Sequence, residues 1–146
     1  MRVYVAGSSA ELERCERVIA ALREGGCTVT FDWTPSIREH IARGISEEQL
    51  DDHEARRLSG VDYDAIDRAH VVLFLAPETV TRGAWAELGY AGCLMRRGEL
   101  DVYVSGPAAR KSIFTRQSSA IFLSDDDAIS AIVRRDVRPL NSGVLA

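Results

Sequence analysis

The chain has 146 residues, of which 46% are hydrophobic and 27% charged, with a formal net charge of -4. That composition suits one soluble domain with its own core and disfavours a disordered chain. The net acidity disfavours a broad electrostatic grip on a nucleic-acid polymer but leaves room for a single nucleotide in a pocket.

The first element is RVYVA at 2–6, a β-rich run that stops at Gly7-Ser8-Ser9. Leu12, Cys15, Ile19 and Leu22 then recur on one helical face. Ser8 or Ser9 supplies the N-cap, Glu11 and Glu13 suit the positive end of the helix dipole, and Gly25-Gly26 end the helix. CTVTF at 27–31 is the second strand. Pro35 and Gly44 break the next stretch, which reads as a loop with a short helix over 36–43. A longer helix is expected from Ser46 to about Ala69, opened by the capping-box-like SEEQ and weakened or kinked at Gly60. VVLFLA at 71–76 is the most hydrophobic run and therefore the central strand.

The loop PETVTR leads to a helix starting near Gly83 or Ala84, with Ala84, Leu88, Ala91 and Met95 on its apolar stripe. LDVYVSG at 100–106 is the fourth strand, 107–114 a loop or short helix, and SAIFL at 119–123 the fifth strand. The helix over 124–135 has Ser124 as its cap, three acids at its start and two arginines at its end; residues 136–146 read as irregular. Short apolar strands alternating with helices predict an α/β fold. Right-handed crossovers make it a three-layer flavodoxin/Rossmann-like sandwich, a five-stranded parallel sheet of order 2-1-3-4-5 in a single domain over 1–146. Such sheets open their pockets at the carboxyl ends of the strands, so the loops 7–9, 77–82 and 105–114 are expected to share one rim.

Three cysteines, Cys15, Cys27 and Cys93, form no C-x-x-C pair, and neither a secretory signal nor a membrane span is evident. A reducing cytoplasm is the expected compartment. Cys15 and Cys93 sit at helical spacing among apolar residues and read as buried hydrophobes. His40, His53 and His70 lack a ligand spacing, so neither a metal nor another cofactor is expected.

Two acids fall outside the solvated helix faces. Asp62 follows Leu58 and precedes Ile66 at intervals of four, which sets it on or beside the stripe facing the sheet. A buried carboxylate needs a partner, so Asp62 either bonds a nearby loop or Arg82, or faces a pocket. Glu87 stands between Ala84 and Ala91 and is expected in the first helical turn. There it either complements the dipole from the surface or serves chemistry. Tyr4 shares a strand face with Arg2 and Ala6; if buried, its hydroxyl needs a partner, and otherwise it is simply a good β-former.

The segments VYVAGSS, DYDAIDRAHVVLFL and GAWAELGYA together resemble the nucleoside 2-deoxyribosyltransferase superfamily, which includes the 2'-deoxynucleoside 5'-phosphate N-hydrolases; the likeness spans roughly residues 2 to 124. It implies that Glu87 is the nucleophile, Asp62 the acid that opens the D-x-D pattern, and Tyr4 the tyrosine that orients the glutamate. It implies further that Gly7, Ser8 and Ser9 approach the sugar or phosphate and that Thr81 contacts the phosphate beside Gly83. Ser112 would then serve a neighbouring subunit of a homodimer with a shared active site, while Trp33, Phe114 and Trp85 are candidates to stack on the base or wall the pocket, Trp85 reading more as core.

The implied activity is an N-glycosidase cleaving a 2'-deoxynucleoside 5'-monophosphate or related nucleotide, a small-molecule substrate. Alternatives are base exchange by a deoxyribosyltransferase, a TIR-type NAD glycohydrolase, and a non-catalytic nucleotide sensor. The transferases lend a partner an aromatic C-terminal residue; RPLNSGVLA has no tyrosine, which weighs against base exchange. The phosphate hydrolases carry an arginine in the first loop, whereas Arg14 falls farther into the helix; Arg82 or Lys111 is the substitute source of positive charge.

Overall fold

A computed structural model describes residues 1–135. In chain order the elements are β1 (Arg2–Ala6), α1 (Leu12–Glu24), β2 (Thr28–Val29), α2 (Thr34–Ala42), α3 (Asp52–Asp67), β3 (Val71–Leu75), α4 (Gly83–Arg96), β4 (Asp101–Ser105), β5 (Ala120–Phe122) and α5 (Asp125–Arg134). The strands form one parallel sheet of order β2-β1-β3-β4-β5. This is the expected α/β architecture. Period-2 alternation sends Tyr4, Ala6, Val72, Phe74, Val102 and Val104 to one face, under Ala65 and Ile66 of α3 and Ala84, Leu88 and Ala91 of α4. Val3, Val5, Leu73 and Leu75 point to the other, against Cys15, Val18, Ile19 and Leu22 of α1 and Ala128 and Ile132 of α5. The register pairs Tyr4 with Val72 and Ala6 with Phe74, so the phenol of Tyr4 rises beneath α3 and α4.

Several boundaries differ from the sequence expectation, each for a local reason. β2 covers two residues rather than 27–31. Thr30 N still donates to Val3 O (2.9 Å), but the next acceptor on β1, Val5 O, is taken by the indole Nε1 of Trp33 at 2.9 Å. A side chain thus replaces the backbone donor that a longer strand would have supplied. α2 begins at Thr34, with Pro35 in its first turn, where a missing N–H costs nothing; the Asp32 carboxylate accepts from Thr34 N at 3.2 Å and Thr34 Oγ1 at 2.6 Å.

The helix expected from Ser46 starts later. Ser46 caps only a 3-10 turn, Glu47–Gln49, Leu50 is extended, and α3 follows Asp51, whose carboxylate accepts from Glu54 N at 2.8 Å. Two competing cap signals stand five residues apart, and the second opens the long helix. Gly60 lies inside α3 without interrupting it. Residues 107–114 form turns rather than a helix, and the sequence segment 136–146 lies outside the described residues.

Cys93 is exposed, contrary to the buried reading, because the covered stripe of α4 runs through Ala84, Leu88, Ala91 and Leu94. Cys15 and Cys27 are buried. Among the described residues no helix is long and apolar enough to cross a membrane.

Candidate active site

Tyr4 is fully buried, and its hydroxyl donates to Glu87 Oε1 at 2.9 Å. β1 fixes the phenol from below and α4 brings the carboxyl from above. Glu87 lies past the first turn of α4, which contains no acid, so the expected dipole complementarity does not describe its setting. Instead its carboxyl is pushed up to about 8, chiefly by burial and then by the negative charge of Asp62, with the Tyr4 hydrogen bond pulling the other way. Asp62, on α3, forms no ion pair with Arg82 among the described residues, and its Oδ1 is buried without a hydrogen-bond partner. Burial raises the Asp62 carboxyl as well, opposed by the nearby Tyr4 hydroxyl. Tyr4 is itself driven far above the ordinary phenol range, by burial first and by Glu87 and Asp62 after it, so it stays a proton donor. Two carboxyls and a phenol thus share one poorly solvated spot, where the pair resists carrying two charges.

Glu87 and Asp62 look onto a cleft of about 570 Å³. Gly7, Ser9, Trp33, Thr81 and Gly83 line it as the sequence suggests, together with Arg82. Gly7 is required by packing, because a β-carbon there would run into Cys15 Sγ. Ser8 does not face the cleft. It is buried, accepts from Ala10 N at 3.2 Å and meets Thr79 Oγ1 at 3.0 Å. Thr79 spends its own proton on Glu11 Oε1 (3.1 Å), so Ser8 is the donor in that pair.

Ser112 and Phe114 lie outside the cleft of their own chain. Ser112 Oγ accepts from Phe114 N at 3.1 Å, and Phe114 lines a separate groove of about 410 Å³ with Trp85, Cys93 and Met95. Trp85 packs its ring on Phe74 at 5.0 Å between centroids, a core contact.

Two features escaped the sequence reading. The outer wall of the cleft is α2 and the turn after it, through Ile37, His40, Ile41, Ile45, Glu47 and Glu48. The sequence reading sets Ile37, His40 and Ile41 in a short helix and Glu47 and Glu48 in a longer one, and nothing in their spacing marks them as facing Glu87. The second is a polar clamp under the rim. Arg14 donates to both oxygens of Asp125 (2.8 and 2.9 Å), to Glu11 Oε2 (2.8 Å), and to the carbonyls of Ala76 (3.0 Å) and Ser105 (3.3 Å). Glu11 Oε1 in turn accepts from the backbone N–H groups of Glu78 (2.8 Å) and Thr79 (3.2 Å). Arg14 therefore ties the carboxyl ends of β3 and β4 to the loop that leads into α4. With its guanidinium so committed, Arg82 is the arginine that lines the cleft. Among the described residues no group of three His, Cys, Asp or Glu side chains could hold a metal ion.

No family model and no curated protein matches the chain. Among solved structures it is similar to the CMP N-glycosidase BcmB of Clostridium botulinum, at 18% identity and a TM-score of 0.54, over 90% of this chain and 98% of that one. At that identity the likeness shows a shared fold.

Proposed function

We propose that the protein is an N-glycosidase that cleaves the bond between base and sugar in a 2'-deoxynucleoside 5'-monophosphate or a related nucleotide. The observation that carries this reading is the Tyr4–Glu87 hydrogen bond beside Asp62 at the floor of one cleft. A pure binding module has no use for two carboxyls forced together in a poorly solvated place. The fold shared with a CMP N-glycosidase lends support.

In the proposed reaction the C1'–N bond breaks through an oxocarbenium-like transition state. The reacting form of the pair carries one proton: the Glu87 carboxylate attacks C1' or stabilises its charge, and Asp62, whose protonated form burial favours, gives that proton to the departing base. Water then attacks C1', loses a proton to Asp62 and frees Glu87, leaving base and sugar phosphate as products. Tyr4 holds the Glu87 rotamer by donating to Oε1. Arg82, Thr81 and the N-terminus of α4 supply positive potential for the 5'-phosphate.

The test is a panel of deoxynucleotides, ribonucleotides and nucleosides assayed for released base. Free sugar phosphate is the expected product. A new nucleoside on adding an acceptor base would mark base exchange instead, nicotinamide release from NAD would mark a TIR-type activity, and tight binding without turnover would mark a sensor.

Tyr4→Phe offers a finer check. The phenol's hydrogen bond favours the ionised Glu87, so its loss moves that carboxyl above its value of about 8. The acidic limb of kcat/KM for the free protein, which rises with pH as Glu87 ionises, is expected to shift upward. Activity at neutral pH should fall about tenfold, the equivalent of one pH unit. An unmoved limb would remove Tyr4 from the mechanism.

A further inference from the structure

The cleft over Glu87 does not stop at Trp33. A second space of about 390 Å³ opens behind it, between α2 and α3, walled by Phe31, Leu50, Ala55 and Leu58. Trp33, Ile37, His40, Glu47, Asp62 and Gly83 line both, so the two spaces adjoin beside Asp62. The indole of Trp33 is pinned through Nε1 to Val5 O and forms a fixed wall. Aromatic and aliphatic walls suit a flat heterocycle. The other end of the cleft, at Ser9, Thr81 and Arg82, is polar. A nucleotide therefore has one sensible direction: phosphate toward Arg82, sugar over Glu87, base toward the side chamber.

At the mouth of that chamber stands Glu47, an exposed residue whose carboxylate has no hydrogen bond or ion pair among the described residues. The backbone that carries it is set by the capped turn Glu47–Gln49, where Ser46 N donates to Gln49 Oε1 at 2.8 Å. We propose that the side chamber seats the nucleobase and that Glu47 accepts a hydrogen bond from its exocyclic amino group, so that cytosine or adenine is taken over the corresponding keto base. This rests on the glycosidase reading above. A carboxylate accepts and does not donate. A keto oxygen turned toward Glu47 opposes acceptor to acceptor, whereas an amino group there donates to it. His40, at the same junction, donates or accepts according to its tautomer and does not discriminate in this way.

Binding is measured by calorimetry on Glu87→Gln protein, which cannot turn substrate over, with CMP, UMP, dCMP, dUMP, AMP and IMP as probes. The amino-bearing member of each pair is expected to bind about tenfold or more tightly, and adding Glu47→Gln, whose amide both donates and accepts, is expected to bring each ratio close to one. Equal binding in the parent, or a ratio that survives Glu47→Gln, overturns the assignment. Base release by the unmodified protein is followed alongside. Discrimination without release leaves the chamber standing and sinks the glycosidase reading, release without discrimination does the reverse, and a protein that binds no nucleotide sinks both.

Discussion

Glu87→Gln is expected to reduce base release by about a thousandfold or more while making the protein more stable at neutral pH. The two effects share one cause. The amide keeps the shape of the side chain and the acceptor for Tyr4, but it never ionises. In the parent protein the carboxyl is raised from 4.5 to about 8, by burial and then by Asp62, so the folded state holds a proton that the unfolded chain has already released. The stability contributed by this group is therefore fully present below pH 4.5 and is lost as pH rises to about 8. The glutamine variant escapes that loss. Its advantage in thermal or denaturant unfolding should open between those two pH values and level off above them, at roughly 5 kcal/mol. An inactive variant with no gain in stability would mean that Glu87 is not strained in the folded protein. A stabilised variant that still releases base would end its role as nucleophile. The combination expected is the usual signature of a site maintained at a cost to the fold.

Asp125→Ala is expected to be the most damaging single change to stability outside the apolar core. Asp125 is 8% exposed and takes both arms of the Arg14 fork, a hydrogen bond from Ser105 Oγ at 2.6 Å and a further one from Arg17 at 3.1 Å. Burial alone would raise its carboxyl, but the donors from Arg14 and Ser105 outweigh it and hold the group below its ordinary 3.8. Removing it leaves the partly buried Arg14 guanidinium with Glu11 as its one carboxylate partner, a loss of about 3 kcal/mol. For a chain of this size that is a fall in melting temperature of about 10 °C. The pH trend is opposite to that of Glu87. This contribution is present above pH 3.8 and disappears as pH falls through the lower, folded value, so parent and variant converge in acid. A gap that persists in acid, or a loss under about 1 kcal/mol as for an exposed pair, would show that the clamp does not act as a buried ion pair.

The architecture was legible because each strand is a short apolar run and each helix repeats its apolar stripe at a period the sequence displays. Periodicity marked Tyr4, Asp62 and Glu87 only as candidates, and their joint role was implied by the family resemblance rather than by spacing. Period 2 turns Tyr4 toward the α3 and α4 face, where its hydroxyl meets Glu87. What could not be read depends on groups distant in sequence. β2 stops where an indole from beyond the strand takes Val5 O. Ser46 and Asp51 are equally good caps until the packing of α3 selects the second. Asp125 is one of three adjacent acids, and only the approach of α1 decides that it, rather than Asp126 or Asp127, turns inward. Ser8 looked available for substrate because its bond to Thr79 spans 71 residues of chain.

The brevity of the outer strands has a further effect. β2 contributes two residues and β5 three, so the margins of the sheet offer almost no ladder of unpaired amides and carbonyls to an incoming strand. By ending one margin with Trp33, the chain makes the wall of its cleft also the guard against edge-to-edge pairing into aggregates.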